Sequence, residues 1–449
     1  MCNANNLLKL LIVYVCLSSI CTNSLHHYDD DDDDDDFPNN LFQQELGYDL
    51  GGYPLYISHA ELTIQIQPWN SDRRRVAKTA NVVDFGAKGD GKSDDTKAFQ
   101  SAWKSACSSK EDVTFVVPNY KKFLLKPSRF SGPCKSNIIK VQIGGTIIAS
   151  DNRADYSKDR RHWIIFQGVD NLVVGGGGTI NGNGNIWWKN SCKIDKSKPC
   201  KVAPTALTFY ECTNLVVKHL RIENGQQIHV SIENCRDVEV SRIVVNAPEK
   251  SPNTDGIHVA DTQDIMISNC IIATGDDCIS IVSGSRKVQA TDISCGPGHG
   301  ISIGSLGAGN SEAHVSDVVV NKVNFSGTTN GVRIKTWQGG YGSASNIKFQ
   351  NAQMHNVKNP IIIDQNYCDQ DDPCKEQKSA VKISNVLYQN IKGTSATEVA
   401  VDFKCSKSHP CQEIVVDNVR LGGTNGGKSK AICKNVHLKS IGTVSPHCP

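Results

Sequence analysis

Asn214-Leu215-Val216-Val217, Asp237-Val238-Glu239-Val240 and Asp264-Ile265-Met266-Ile267 are three copies of one short phrase, a polar residue followed by aliphatics. The phrase begins at Asn171-Leu172-Val173-Val174 and returns at Lys287-Val288, Asp317-Val318-Val319-Val320, Asn346-Ile347-Lys348-Phe349, Asn385-Val386-Leu387-Tyr388 and Glu413-Ile414-Val415-Val416. The steps are 43, 23, 27, 23, 30, 29, 39 and 28 residues, and the 43 reads as two coils. Self-similarity at 20–50 residues marks a solenoid or array. Each repeat has short β-branched runs between Gly, Asn, Asp and Ser and no amphipathic stretch of helical length, which excludes leucine-rich and helical repeats. Three short strands per coil of about 23 residues predict an all-β, right-handed, single-stranded parallel β-helix, each coil pairing with the next at about 4.8 Å. A β-sandwich would show longer alternating strands and no constant period.

An open stack needs covered ends. At the N-terminal end, Ser93 is placed to N-cap a short capping helix with Asp94 and Asp95 in its first turn, and Phe99, Ala102, Trp103 and Ala106 on one face. Asp84-Phe85-Gly86 is the turn entering that cap.

The chain has 449 residues, 39% hydrophobic and 21% charged, with a net charge of +2, which argues against a strongly basic nucleic-acid binder and against a disordered acidic chain. Leu7 to Ile20 is an apolar run too short to span a membrane, so residues 1–24 read as a secretory signal peptide. Asp29 to Asp36 is an unbroken octa-aspartate, and Arg73-Arg74-Arg75 closes a patternless stretch; residues 25–75 read as a removable acidic pro-segment, leaving 76–449 as the β-helix domain. Residues 1–75 carry 12 acids and 4 bases, so the remainder holds 34 acids and 44 bases, a net +10. Outside the cell that charge suits a polyanionic partner, nucleic acid or acidic wall polysaccharide.

Eighteen cysteines fit an oxidising compartment. Fifteen remain beyond the signal peptide, an odd number, so at least one thiol is unpaired. Close spacings suggest Cys192–Cys200, Cys278–Cys295, Cys368–Cys374 and Cys405–Cys411, with Cys107–Cys134 and Cys433–Cys448 pinning the ends. Cys212, Cys235 and Cys270 adjoin the repeat phrase as core thiols; no nearby histidine completes a metal site with them.

Four segments stand out for chemistry: Asn253-Thr254-Asp255-Gly256, Gly275-Asp276-Asp277, Gly298-His299-Gly300 and Arg333-Ile334-Lys335. Asp255 to Asp276 is 21 residues and Asp277 to His299 is 22, each close to one coil, so these side chains stack on one face. Singly, such an aspartate is often a turn cap and such a histidine often structural; the shared register is what points to function. Paired carboxylates on one surface cleave glycosidic bonds, one protonating the leaving oxygen and another activating water or attacking. Adjacent Asp276 and Asp277 share a cleft only if the strand breaks, which Gly275 makes easy. Crowding raises the proton affinity of one carboxylate, as a general acid requires. Arg333 and Lys335 share side-chain parity and suit a substrate bearing carboxylates.

With these four segments, residues 80–449 closely resemble the polygalacturonases of glycoside hydrolase family twenty-eight, of the plant fruit type. The resemblance implies hydrolysis of α-1,4-galacturonan with inversion, in endo mode on de-esterified pectin, with no metal or other cofactor and no nucleic-acid or membrane partner. It implies that Asp276 is the general acid, Asp255 and Asp277 hold and activate water, and His299 orients the acid. It further implies that Arg333 and Lys335 bind a galacturonate carboxylate, and that Tyr367, Asn253 and Gln227 contribute subsites. The expected product is a secreted, monomeric wall protein, glycosylated at Asn324 in Asn324-Phe325-Ser326. An exo-acting enzyme, a calcium-dependent pectate lyase and a silent pectin-binding wall protein are the alternatives.

Overall fold

The computed structural model describes residues 78–369, 374, 375 and 377–449; the expected signal peptide (1–24) and the pro-segment through Arg75, octa-aspartate included, lie outside the described residues. From Ser128 onward, eleven strands stack in chain order into one parallel sheet that ends at Lys430–Lys434. A 19-stranded parallel assembly forms the remaining walls. Parallel pairing between successive turns of one chain makes the barrel a β-helix, and its right-handedness follows the rule for parallel crossovers.

The first residue of every repeat phrase sits at a corner. Asn171, Asn214, Asp237, Asp264, Lys287, Asp317, Asn346, Asn385 and Glu413 all have φ between 52° and 60°. Asn and Asp tolerate this left-handed conformation because their short polar side chains bond locally. The corners also bond from coil to coil: Asn214 Nδ2 donates to Asn171 Oδ1 (2.8 Å) and Asn385 Nδ2 to Asn346 Oδ1 (2.7 Å). One residue further on, Val238 pairs with Ile265, and the row continues through Val288, Val318, Ile347, Val386 and Ile414. All are buried. Burying each such side chain contributes about 1.5–3 kcal/mol, repeated on every coil.

The 43-residue step is one coil, not two. Val173 pairs directly with Val216, and Ile180 with Ile222. The extra length leaves the barrel as an excursion over residues 182–204, which holds the short helix Asn185–Trp188 and the Cys192–Cys200 disulfide.

The capping helix is Thr96–Cys107, with Phe99, Ala102, Trp103 and Ala106 buried. Ser93 does not cap it. Ser93 lies in the strand Asp90–Asp94 and donates its hydroxyl to Asp90 Oδ2, while Asp95 accepts the Lys88 and Gly89 amides. Asp95 stands at the N-cap with no side-chain bond to the helix, Asp94 Oδ1 accepts the Thr96 amide (3.0 Å), and no acid falls in the first helical turn. Asp84-Phe85-Gly86 forms a 3₁₀ turn closed by Gly86 at φ 96°.

All six expected disulfides are present: Cys107–Cys134, Cys192–Cys200, Cys278–Cys295, Cys368–Cys374, Cys405–Cys411 and Cys433–Cys448. Cys212, Cys235 and Cys270 are buried free thiols. No helix among the described residues is long and apolar enough to cross a membrane.

Candidate active site

Asp255 precedes the strand Ile257–Ala260, Asp277 precedes Ile279–Ile281, and His299 precedes Ile301–Leu306, three neighbouring strands of the eleven-stranded sheet. Backbone bonds lock the turns together: Gly256 N donates to Asp277 O (2.9 Å) and His299 N to Asp276 O (2.8 Å). Asp276 and Asp277 both occupy the break after the strand ending at Ala273. Gly275 is required there for closeness, since a Cβ would lie 2.0 Å from the Ser251 carbonyl oxygen.

The result is a cleft of about 470 Å³ lined by Asn253, Asp255, Asp276, Asp277, His299, Arg333, Lys335 and Tyr367 together. Of the sequence-expected site residues, Gln227 alone falls outside it, in an adjoining pocket that shares Asn253. A larger groove of about 880 Å³ runs along another face, but its Asp237, Asp264 and Asp317 are the corner residues of successive coils and gather no such constellation.

Asp277 is the most deeply set acid, 1% exposed. Its Oδ1 accepts from Arg333 Nη2 (2.7 Å) and Ser302 Oγ (2.8 Å), and its Oδ2 from Lys335 Nζ (3.0 Å). Arg333 Nε also donates to Ser302 Oγ (3.0 Å). Both cations are therefore engaged with an acid of the site itself. Asp276 keeps 17% of its side chain exposed; its Oδ1 accepts from the Asp277 amide (2.8 Å) and meets His299 Nδ1 at 3.0 Å. Asn253 Nδ2 approaches Asp276 Oδ2 at 3.5 Å.

Three groups that the sequence did not mark complete the shell. Ser280 Oγ donates to Asp255 Oδ2 (2.7 Å) and meets His258 Nδ1 at 2.8 Å. With the single Ser280 proton on Asp255, His258 Nδ1 is the donor of that pair. His229, fully buried, meets the Asp255 carbonyl oxygen with Nδ1 at 2.9 Å. A regular offset could have found two of these three, and Ser302 with them: His258, Ser280 and Ser302 follow Asp255, Asp277 and His299 by three residues each.

The electrostatics separate the acids. Burial pushes the Asp255 carboxyl well above its ordinary range, the charges of Asp276 and Asp277 add to this, and Ser280 only partly opposes it. Burial would also raise Asp276, but the hydrogen bond and charge of His299 outweigh it and hold Asp276 below the usual value. Crowding therefore raises Asp255 and not Asp276, the residue expected as general acid, because His299 partners Asp276 while Asp255 is buried beside two other carboxylates. Tyr367, pushed up to about 12 by burial, edges against Trp337 (5.2 Å between centroids) with Lys335 Nζ 5.4 Å from its ring centre. Asp276, Asp277 and His299 each offer a ligand-type atom within 4.8 Å of the others, but Arg333 and Lys335 already neutralise Asp277, which makes the set a poor cation cradle.

Two exposed side chains lining the cleft pair with each other: Lys193 Nζ, from the 182–204 excursion, and Asp369 Oδ1 lie 2.9 Å apart.

Residues 107–446 match the family model for glycosyl hydrolases family 28. The chain is 55% identical to polygalacturonase-2 of Solanum lycopersicum over 99% of its own length and 96% of the relative's. It is 62% identical to a polygalacturonase of Malus domestica over 83% of this chain and 79% of that one. Among solved structures, the polygalacturonase from Erwinia carotovora ssp. carotovora superposes with a TM-score of 0.66 at 25% identity, covering 78% of this chain and 94% of that one. The chain belongs to family 28 of the glycosyl hydrolases, and within it to the polygalacturonases.

Proposed function

We propose that the mature chain is a secreted endo-polygalacturonase that hydrolyses α-1,4-galacturonan linkages within de-esterified pectin, by single displacement with inversion. The carrying observation is that Asp255, Asp276, Asp277 and His299 share one cleft with Arg333 and Lys335. Asp276, the acid open to the cleft and bonded to His299, protonates the leaving oxygen. An arriving galacturonate carboxylate raises the proton affinity of Asp276, so the substrate helps to load its own acid. Asp255, with Asp277 beside it, holds and activates the water. Arg333 and Lys335 receive the substrate carboxylate, with Tyr367 and Asn253 at the flanking positions. The enzyme works as a monomer with an acidic optimum, because one carboxyl is protonated while another is ionised.

Asp276→Asn is the decisive variant, and reducing-sugar release from polygalacturonate at the wild-type rate would refute the assignment. The anomeric form of the first product, followed by NMR, reports inversion or retention. A rapid fall in polymer size before monomer appears establishes endo action. A second, exo-acting reading draws on the Lys193–Asp369 pair, which lines the cleft. Exposed pairs of this kind contribute under about 1 kcal/mol, so the bridge does not hold the cleft shut against a polymer. Secretion, removal of residues 1–24 and 25–75, and a glycan on the exposed Asn324 belong to the same proposal. N-terminal sequencing and mass measurement of the protein recovered from the wall test all three.

A further inference from the structure

Beside the cleft lies a second, much smaller pocket formed where the 182–204 excursion folds back on the barrel. It is about 40 Å³ in volume and shares Pro252 and Asn253 with the cleft. Its charged lining residues are Arg153 and Lys201, and no Asp or Glu is among the described residues that line it. Neither cation has an ion-pair partner among the described residues. Arg153 and Arg160 both pack on the Trp187 ring, 5.1 and 5.7 Å from its centre. Trp187 is 5% exposed, and its Nε1, like Arg160 Nη2, is a buried donor without an acceptor among the described residues. Gln227 Oε1 accepts from the Ala203 amide, which leaves its Nε2 protons to donate. Gln226 bonds Tyr156 Oη through Nε2, and its buried Oε1, which lies near Gly182, has no donor among the described residues.

Unpaired cations, a buried indole donor and an amide donor with no acid opposing them select an anion. At 10–15 Å³ for each water-sized group, the volume admits about three such groups. That is the size of a carboxylate and far too small for a sugar ring. Ile228 stands one coil before Asp255, as the bonds of Ala206 N to Ile228 O and His229 N to Asp255 O show, so Gln226 and Gln227 of the pocket lie one coil, about 4.8 Å, before Asn253–Asp255. Arg333 lies three coils past Asp255 on the other side.

We propose that this pocket is a second carboxylate subsite, in which Arg153, Lys201, Gln227 and the Trp187 indole receive the carboxylate of a galacturonate lying toward the N-terminal coils. The inference rests on the polygalacturonate reading above and deepens it: the groove grips its polymer by carboxylates on both sides of the catalytic acids. Gln227, outside the cleft proper, becomes part of binding through this pocket.

Lys201 is exposed, so Lys201→Glu leaves the fold intact, whereas Arg153→Gln also loosens the Trp187 stack. Both are compared with Lys201→Arg on polygalacturonate and on trigalacturonate. Losing a charged hydrogen bond should lower kcat/KM on the polymer about tenfold for Lys201→Glu, with a much smaller loss on the trimer and near-complete retention in Lys201→Arg. Equal losses at both lengths, or no loss on the polymer, overturn the subsite. In parallel, calorimetry measures binding of a long oligogalacturonate to Asp276→Asn with and without Lys201→Glu. Binding should weaken by a similar factor for the acid oligomer and not for its methyl ester; failure of that difference also overturns the subsite. A wild-type protein that does not cut polygalacturonate would remove the proposed reaction, while the calorimetric arm would still decide the pocket.

Discussion

Removing Lys335 tests whether the site's charges are arranged as the structure has them. Asp277 is 1% exposed and divides its oxygens between Lys335 on one side and Arg333 with Ser302 on the other. Lys335→Met keeps most of the buried stem and deletes the charge, so the change is chiefly electrostatic. Breaking a buried pair by deleting one partner costs 3–5 kcal/mol, and because Arg333 and Ser302 remain on Oδ1 the lower end applies, about 3 kcal/mol. Asp277→Asn alone strands two cations beside each other and should cost a similar amount. The double variant no longer holds an unpaired charge against Oδ2, so it should cost at least about 2 kcal/mol less than the two single losses together. Urea unfolding with the disulfides intact, at neutral pH and fixed salt, measures all four corners of this cycle. If Lys335→Met costs under about 1 kcal/mol and the double variant is additive, Asp277 is not held by that pair, and its place as a neutralised member of the cleft is wrong.

The other perturbations act on protons and on the chain. Asp255 is raised when folded, so its contribution is present below its unfolded value near 4 and lost as pH climbs through the higher folded one. Asp255→Asn should therefore gain stability relative to wild type as pH rises from 4 to 8, and a constant difference across that range would contradict the raised carboxyl. Ser280→Ala removes a bond that favours the Asp255 anion, so the acid limb of the rate profile should move to higher pH; a lower kcat with the limb unmoved would leave Ser280 a packing residue. His229 is lowered to about 4 by burial, so stability is full above about 6.5 and falls as pH drops toward 4. That window amounts to about 3 kcal/mol, and His229→Gln should flatten it in thermal scans. Replacing Cys278 and Cys295 by Ala opens a 17-residue loop beside Asp277 and should cost about 3 kcal/mol by denaturant unfolding, with activity falling alongside.

The barrel was legible because its corners are written in residue type: every phrase opens on a residue that the coil turns into the left-handed region, mostly Asn or Asp. The gathering of the site's acids in one cleft was legible for a related reason, since a coil of about 22 residues converts sequence spacing into stacking. What escaped were groups whose identity carries no such mark. Ser280, Ser302 and His258 sit in strand-like runs and gain meaning only from the side chains they touch. The 43-residue step misled because an excursion adds length without adding a rung, and only pairing of Val173 with Val216 distinguishes the two. At Ser93 the capping pattern was real, but Asp90 took the hydroxyl first. Local bonding competes with helix capping for the same polar groups.

The location of the proton follows from the order of the coils. Arg333 and Lys335 arrive two coils after Asp277 and neutralise it, and His299 arrives one coil after Asp276 and partners it. Among the described residues, Asp255, the acid nearest the N-terminal end, accepts a side-chain bond from a serine hydroxyl, itself supported by a histidine whose charged form burial disfavours, with the charge of Lys335 opposing its burial from further off. A neutral Asp255 therefore costs the free protein least, and ionising it requires the field at the cleft to change. A polyanion seated only on the Arg333 side would work against that ionisation by adding negative charge. Any water that Asp255 activates has to hand its proton to a carboxyl whose ionised form the site disfavours, which makes that carboxyl a strong base once it is bare. The stacking order thus leaves Asp276 charged and Asp255 protonated at rest, the reverse of the acid and base that the proposed inverting displacement needs, so substrate binding has to move a proton to Asp276 and free Asp255 before the bond is cut.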